Sequence, residues 1–333
     1  MSRLKLNYGG VSYLDRTRAL ETAEVSPAGI DMNYVVPSSI ADLFRGMVAH
    51  AEFDIAEMSL CTLMVMIGKG DKRLVGLPIF PSRAFRHSQI YVHANSGIQQ
   101  PSDLVGREVG ISEYQMTAGL WVRAHLQHDY NVSPEKIRWR TGGFFVPRHV
   151  ERMPIDLPSG VEMRRIPEGE TLEAMLLQGR IDALISTEPP RAFVAGDARI
   201  GRLFPDARAV EFEYFKRTGF FPIMHAVVIR RDVYEANRWI AMSLLNAFNE
   251  AKRLGHERLA YQGAYAVGLP WLPSETEEVN RLFGGDAFPY GFQSNLKILE
   301  AMAAYAHEQG LTPRKLDPRE LFAAESLVDS IPG

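Results

Sequence analysis

The sequence has a single cysteine and no long hydrophobic run, and each absence excludes a class of protein. Cys61 is the only cysteine in 333 residues, so neither a disulfide nor a cysteine-based zinc site can form within one chain. Because Cys61 lies in the apolar run of residues 60–67, we expect a packed core thiol rather than a nucleophile. That run is also too short to cross a bilayer, so we predict no membrane partner.

The chain also lacks a strong charge of either sign. Its formal net charge is −3, which gives no basic field to attract nucleic acid, so we expect no nucleic-acid partner. A hydrophobic content of 46% and a charged content of 23% indicate a globular protein, and 333 residues favour two domains or one large one. Residues 1–8 lack the apolar segment and cleavage site of a secretory signal, which predicts a cytoplasmic protein.

Strand-like and helix-like segments alternate along the chain, and this pattern predicts an α/β fold with mainly parallel sheets. The expected strands cover residues 4–8, 30–36, 53–56, 74–80, 88–93, 107–111, 137–140, 161–166, 181–186 and 224–229. The expected helices cover residues 40–51, 60–67, 116–128, 171–178, 239–254 and 296–307. A crossing near residue 95 and a return near residue 225 predict two lobes. We expect residues 1–94 with 226–333 to form lobe 1, which includes a helical C-terminal tail, and residues 95–225 to form lobe 2.

One short stretch carries an unusual set of side chains. Arg83, Arg86 and His87 lie within five residues, directly after the apolar strand of residues 74–80. An arginine presents a planar fork of donors that matches a carboxylate, and histidine can exchange a proton near neutral pH. The set therefore suits a site that holds an acid and moves a proton, although a solvated basic turn is the alternative.

Further motifs are found along the chain. They cover residues 77–88, 110–118, 121–123, 202–206 and 217–225, and they include Trp139 before the glycines at 142–143. These segments resemble the 4,5-dihydroxyphthalate decarboxylases over about residues 3–325. The order of the lobes resembles the type 2 periplasmic-binding-protein fold, which has two crossover segments and an interlobe cleft. The resemblance implies an aromatic carboxy-lyase that removes CO2 from 4,5-dihydroxyphthalate, or a related hydroxylated aromatic dicarboxylate, to give protocatechuate in phthalate degradation.

Such a decarboxylation needs an anchor for the retained carboxylate, electron density at the carbon that loses CO2, and a proton for that carbon. A hydroxyl para to the leaving carboxylate can supply the electrons, so we expect no cofactor. No histidine or carboxylate spacing supports a metal site, so we expect no metal. The expected partner is a small aromatic carboxylate.

Four side chains are our first candidates for anchoring and proton transfer. We expect Arg83 and Arg86 to bind the retained carboxylate. His87 is the leading proton donor, with a structural role at the start of the next strand as the alternative. His225, in the returning strand, is the rival donor, and a packed strand histidine is the alternative there.

Polar residues at the expected strand ends give further candidates. Glu57 follows the third strand, at the edge where open α/β sheets bind ligands. It could accept a proton from a catechol hydroxyl, or it could pair with Arg83 or Arg86. Ser59 could bind substrate or cap the next helix. Glu188 occupies the matching edge of lobe 2 and is a candidate for contact with the catechol.

The loop of Tyr114, Gln115 and Thr117 lies between a predicted strand and a predicted helix. Backbone N–H groups at a helix start attract anions, and Thr117 would add a hydroxyl. We expect this loop to bind substrate, with an ordinary N-cap as the alternative.

The alternative function is a substrate-binding protein of an ABC-type transporter for an aromatic acid or a pyrimidine-like ligand. The lack of a signal segment and the motif of residues 83–87 favour the enzyme. A ligand sensor is a third hypothesis, but the chain shows no attached DNA-binding segment that would favour it. The apolar helix at residues 296–307 could pack on its own lobe or on a second copy, so a homo-oligomer stays open.

Overall fold

The computed structural model describes residues 3–148 and 152–328, in which strands and helices alternate as expected. The strands are β1 (Leu4–Gly9), β2 (Ile30–Val35), β3 (Ile55–Ser59), β4 (Leu74–Arg83), β5 (Ile90–His93), β6 (Glu108–Ile111), β7 (Arg138–Thr141), β8 (Glu162–Arg165), β9 (Ala183–Ile185), β10 (Ile200–Arg202) and β11 (Ile223–Arg230). The helices are α1 (Arg18–Glu21), α2 (Ile40–His50), α3 (Leu60–Gly68), α4 (Thr117–Tyr130), α5 (Leu172–Leu177), α6 (Arg191–Val194), α7 (Ala207–Thr218), α8 (Arg231–Ala236), α9 (Ile240–Ala260), α10 (Leu272–Phe283) and α11 (Leu296–Glu308).

The first sheet of the described residues has five strands in the order β2-β1-β3-β11-β4. β1 pairs in parallel with β2 and β3, whereas β11 runs antiparallel between β3 and β4. The carboxyl ends of β1 to β4 and the amino end of β11 therefore lie at one edge. Ligands bind at this edge in open α/β sheets.

Two consecutive elements form the centre of this first unit. Every residue of β3 is buried, as expected for a strand that is covered on both faces. The apolar run of residues 60–67 forms most of α3 and is buried throughout, including Cys61. The expectation of a packed thiol is confirmed.

The second sheet of the described residues has six strands in the order β10-β5-β9-β6-β7-β8. β6 pairs in parallel with β7 and β9, and β5 pairs antiparallel with β9 and β10. Leucine and isoleucine side chains from α5, β9 and neighbouring strands pack into one core, which contains Leu172, Leu176, Ile181 and Leu184. The expected α/β architecture is confirmed in both sheets.

The described residues divide into two compact units. Unit 1 contains the residues up to Arg83, Ile223–Glu300 and those from Asp317 onward, and unit 2 contains Ala84–Pro222 and Ala301–Leu316. This division differs from the expected lobes at two places. Residues 84–94 belong to unit 2 because β5 pairs with β9 and β10, and Ala301–Leu316 also belongs to unit 2, where Gln309 accepts from Nε of Arg123 on α4. The ends of the expected lobe 1, residues 1–2 and 329–333, and residues 149–151 of the expected lobe 2 lie outside the described residues.

Two strand boundaries differ from the sequence prediction in a way that affects the site. β3 covers Ile55–Ser59 rather than residues 53–56, so Glu57 and Ser59 belong to the strand. β4 continues past residue 80 and ends at Arg83. In the described part of the chain, no helix is both long and apolar enough to cross a membrane.

Gly255 allows helix α9 to pack closely against the segment before α1. A Cβ atom at this position would collide with the backbone carbonyl oxygen of Asp15. Alanine normally stabilises a helix interior by about 1 kcal/mol relative to glycine. An overpacked contact costs about 1–3 kcal/mol, so we expect Gly255→Ala to give a net loss of stability in urea unfolding. The matched control is Gly268→Ala, whose Cβ would meet no described atom within 4 Å; equal stability of the two variants would contradict the prediction.

Candidate active site

Glu57 and His225 come together on two neighbouring strands of the first sheet. Glu57 lies on β3 and His225 on the neighbouring β11, where His225 is opposite Ser59 in the strand register. The Nδ1 atom of His225 is 2.6 Å from Oε1 of Glu57. The carboxylate is fully buried, whereas 19% of the His225 side chain is exposed. The pair therefore joins a buried anion to an imidazole that reaches the surface of the unit.

Both oxygens of Glu57 are held by the protein. The backbone N–H of Val11 donates to Oε2 at 3.0 Å, and the hydroxyl of Tyr13 donates to Oε1 at 2.7 Å. With His225, these are the polar contacts of Glu57 in the described part of the chain. The pairing with Arg83 or Arg86 that the sequence suggested is not formed, because the loop after β1 and strand β11 reach the carboxylate instead.

The carboxylate fixes the proton on the imidazole. An ionised carboxylate only accepts hydrogen bonds, so Nδ1 of His225 donates to Glu57. The ring of Phe44 packs against the imidazole at 4.9 Å between centroids, with the planes at 81°. These two contacts orient the ring, and in the described part of the chain Nε2 has no hydrogen-bond partner.

Tyrosine side chains surround the Glu57 carboxylate. Tyr8 and Tyr34 are paired in the register of the parallel strands β1 and β2, one residue before each strand ends, with ring centroids 4.7 Å apart. The hydroxyl of Tyr34 donates to the carbonyl of Val11 at 2.7 Å. Burial, reinforced by the charge of Glu57, raises the pKa of Tyr8 and of Tyr13, so both keep their protons. Sequence reasoning missed Tyr13 and Tyr34, although the matching positions of Tyr8 and Tyr34 on two parallel strands are a usable signal.

Ser59 caps the helix that follows β3. Its hydroxyl oxygen accepts from the backbone N–H of Thr62 at 3.4 Å and lies 3.0 Å from the Thr62 hydroxyl. The capping role was one of the two expected alternatives, and it fixes the turn from β3 into α3.

Arg83 ends β4 in unit 1 and is 8% exposed. Its Nη2 donates to the carbonyl of Pro289 at 3.0 Å and to Oδ1 of Asn295. Burial lowers the pKa of Arg83 to about 9, against the opposing effect of Asp286. The side chain therefore stays a buried cation at neutral pH.

Arg86 belongs to unit 2, directly before a 3-10 helix of residues His87–Gln89. Its Nη1 donates to the side-chain oxygen of Gln89. Burial lowers the pKa of Arg86 to about 10, with Glu211 opposing the shift. The motif that is continuous in sequence is thus divided, with Arg83 in one unit and Arg86 and His87 in the other.

His87 is 2% exposed and packs within an aromatic cluster. Its ring stacks on His125 at 4.4 Å with the planes 17° apart, and the centroid of Tyr214 is 5.2 Å away. Burial, followed by the charge of Arg217, lowers the pKa of His87 to about 4. His87 is therefore neutral at pH 7 and carries no spare proton for a substrate.

His87, His125 and Asp129 each offer one possible metal-ligand atom, and these atoms lie within 4.8 Å of one another. A metal ion lies in the plane of the imidazole that binds it, at about 2.0–2.1 Å for zinc. Because the stacked rings of His87 and His125 are nearly parallel, one ion cannot lie in the planes of both. Asp129 also accepts from Nη2 of Arg217 at 2.8 Å. The arrangement does not fit a metal site.

The loop between β6 and α4 is buried in unit 2. Tyr114 packs edge-on against Trp139, at 6.1 Å, and under the guanidinium of Arg123, at 3.8 Å. When the amide of Gln115 is oriented to satisfy its neighbours, its oxygen accepts from two backbone N–H groups, at 3.1 and 3.0 Å. Thr117 is the first helical residue, and the N-cap is Met116, so the expected alternative of a Thr117 cap is wrong.

Glu188 follows β9 and is exposed. Its backbone forms a turn with Ser186, whose hydroxyl donates to the Glu188 carbonyl at 2.5 Å. The turn fixes the backbone of Glu188 and leaves its side chain at the surface of unit 2.

Comparison with solved structures gives the fold class. The periplasmic aliphatic sulphonate binding protein SsuA from Escherichia coli is similar with a TM-score of 0.56 and 14% identity, over 98% of this chain and 99% of that one. The desulfurization enzyme DSZB is similar with a TM-score of 0.54 and 15% identity, over 98% of each chain. No protein-family model matches the sequence. The protein has the two-lobed, type 2 periplasmic-binding-protein-like fold.

Comparison with known sequences gives the family. A 4,5-dihydroxyphthalate decarboxylase from Comamonas testosteroni is 36% identical over 327 residues, which cover 98% of both proteins. A second protein of that name, from Pseudomonas putida, is 33% identical over 220 residues, which cover 66% of this chain and 84% of the relative. The chain belongs to the 4,5-dihydroxyphthalate decarboxylase family, and it is an enzyme of the carboxy-lyase class.

Proposed function

We propose that this enzyme removes CO2 from 4,5-dihydroxyphthalate and releases protocatechuate. The name of the relative that is 36% identical over 98% of the chain supports this substrate. The observation that carries the chemistry is the 2.6 Å contact between Glu57 and His225 at the ligand-binding edge of the first sheet.

The reaction replaces one carboxylate with a proton. The hydroxyl para to the leaving carboxylate pushes electron density to the ring carbon, which takes a proton from the enzyme. The bond from that carbon to the carboxylate then breaks, CO2 departs, and the bonding electrons restore the aromatic ring. The second carboxylate and both hydroxyls stay, which gives protocatechuate, and solvent returns the proton to the enzyme.

His225 is better suited than His87 to donate this proton. Nδ1 of His225 is held at 2.6 Å from the Glu57 carboxyl group, and 19% of the His225 side chain is exposed. His87 is buried and neutral, with a pKa of about 4. A general acid must hold its proton near the working pH. We therefore assign to His225 the role of proton donor that the sequence analysis expected of His87.

Arg83 and Arg86 are the proposed anchors of the retained carboxylate. Both are cations at neutral pH, although burial lowers the pKa of Arg83 to about 9 and that of Arg86 to about 10. An anionic ligand offsets the cost of burying such a charge, and a charge-assisted contact of this kind contributes about 1.5–3 kcal/mol.

The remaining candidates keep their proposed substrate contacts. Tyr114, Gln115 and Thr117 are buried at the start of α4, where backbone N–H groups favour an anion. Ser59 lies opposite His225 in the strand register, and the exposed Glu188 could accept from a catechol hydroxyl. We further propose that the enzyme works in the cytoplasm without a cofactor.

The test is incubation of the purified protein with 4,5-dihydroxyphthalate, with CO2 release and the ultraviolet change of the ring followed together. We expect stoichiometric CO2 and protocatechuate, with rates unchanged by a chelator. Ligand binding without turnover would reject the decarboxylation of this substrate and favour the transport alternative. Loss of activity in the chelator would reject the metal-free reaction.

A further inference from the structure

Arg16 packs on Tyr13, the tyrosine that donates to Glu57, and it was not among the candidates from the sequence. It belongs to the segment between β1 and α1 in unit 1, and its side chain is 12% exposed. The guanidinium carbon is 3.9 Å from the ring centroid of Phe288 and 4.5 Å from that of Tyr13. These ring contacts hold the plane of the guanidinium group.

Two hydrogen bonds fix the position of the guanidinium within this plane. Its Nε donates to the carbonyl of Pro81 at 2.9 Å, and its Nη1 donates to Oδ2 of Asp15 at 2.6 Å. A guanidinium has five N–H donors. In residues 3–148 and 152–328, Nη2 has no hydrogen-bond partner. The side chain is therefore oriented by the protein and keeps donors for a ligand.

Two of the four protein contacts of Arg16, those with Tyr13 and Pro81, lead to the Glu57–His225 pair. Tyr13, under the guanidinium, donates its hydroxyl to Glu57 at 2.7 Å. Pro81, which accepts from Nε, precedes Ser82, and Ser82 pairs with His225 across β4 and β11. The cation and the proton donor are thus held at the same edge of the sheet by adjacent residues.

The buried carboxylate of Glu57 at this edge of the sheet favours a cation nearby. A substrate with two carboxylates that approaches His225 also approaches the buried carboxylate of Glu57, which repels it. A fixed guanidinium offsets this repulsion and offers a planar donor edge that matches a carboxylate. Asp15 offsets part of the positive charge of Arg16, but it occupies Nη1 and leaves Nη2 clear.

We propose that Arg16 binds a carboxylate of the substrate through Nη2 and so places the ring next to His225. This inference rests on the proposed function, since it assigns the carboxylate-binding residue of that reaction. It makes Arg16 a determinant of specificity for aromatic acids over neutral catechols.

The experiment compares Arg16→Gln and Arg16→Lys with a matched control, Arg18→Gln. Arg18 lies two positions away, is 47% exposed and pairs with Glu21 on α1. Each variant is assayed for KM and kcat with 4,5-dihydroxyphthalate and for inhibition by phthalate, which has two carboxylates, and by catechol, which has none. Calorimetric titration with phthalate measures binding without turnover.

We expect Arg16→Gln to raise KM and the inhibition constant of phthalate by about 10–100-fold, with a smaller effect on kcat, because one charge-assisted contact is lost. Inhibition by catechol should not change. Arg16→Lys should fall between the wild type and Arg16→Gln, since lysine keeps the charge but not the fork. Arg18→Gln should match the wild type.

Unchanged phthalate inhibition in Arg16→Gln would overturn the inference, and so would an equal loss for phthalate and catechol, which indicates a general distortion. If Arg16→Gln does not fold, the Arg16→Lys variant carries the same comparison. A wild type that binds phthalate but does not convert 4,5-dihydroxyphthalate would reject the proposed function alone, because the titration still tests Arg16.

Discussion

Replacing His225 with glutamine is expected to lower kcat by about 10²–10⁴-fold, the range that general acid–base groups contribute. Glutamine keeps much of the size of the side chain but has no proton to give to the ring carbon. The KM should change much less, because the carboxylate anchors are untouched. Steady-state rates of CO2 release, measured for both proteins across a range of pH, check this result.

Three further variants, Glu57→Gln, His50→Gln and His87→Gln, test whether the loss of kcat is specific to His225. Glu57→Gln should also lower kcat, since an amide replaces the carboxyl group that orients the His225 ring at the 2.6 Å contact. His50→Gln is the matched control, because His50 is exposed at the end of α2 in the same unit. A His225 variant with normal kcat, beside a His87→Gln variant with a large loss, would contradict the assignment of the donor.

Mild acid is expected to destabilise the protein through the stacked histidines of unit 2. The folded pKa of His87 is about 4, against an ordinary value of 6.5, because the ring is buried. The unfolded chain therefore takes up the proton first, and the contribution of a neutral His87 is complete above pH 6.5 and is lost as the pH falls toward 4. By pH 5 the loss from His87 alone is about 2 kcal/mol. Burial also lowers the pKa of His125, so its effect has the same sign.

Urea unfolding at pH 7, 6 and 5, followed by tryptophan fluorescence, measures this loss; Trp121, which contributes to the signal, has its ring 5.9 Å from that of His125. The His87→Phe variant keeps an aromatic ring in the stack but cannot take up a proton. Its stability should depend less steeply on pH than that of the wild type, whereas His50→Gln should leave the slope unchanged. An identical slope in the His87→Phe variant would show that His87 does not cause the acid sensitivity.

Most of the fold could be predicted from the sequence because its strands and helices carry regular apolar patterns. The predicted boundaries were wrong where a polar residue interrupts such a pattern. Glu57 lies inside the buried strand β3, so the apolar run ends too early in the sequence. The same holds for β4, where Ser82 and Arg83 follow the apolar residues but continue the strand. Strand β10 and helix α7, by contrast, were not expected as separate elements.

The candidate site could be predicted only in part. Glu57 and His225 were each candidates, but their pairing was not, because they are 168 residues apart and meet only where β11 enters the first sheet. No pattern in the sequence pointed to Arg16, because its proposed role in binding a carboxylate depends on contacts with the rings of Tyr13 and Phe288. Proximity in sequence was also misleading, because Arg83 and Arg86 belong to different units.

The central position of β11 has a consequence for how the chain folds. β4 joins its sheet through β11, and β3 also relies on β11 for one of its two neighbours. During synthesis, all residues up to Pro222 emerge before the strand that connects β3 to β4. A nascent chain of that length exposes two unpaired strand edges, which are open to pairing with other chains. His225, the proposed proton donor, enters the sheet on the same late strand, so closing the sheet and forming the Glu57–His225 contact are one folding event.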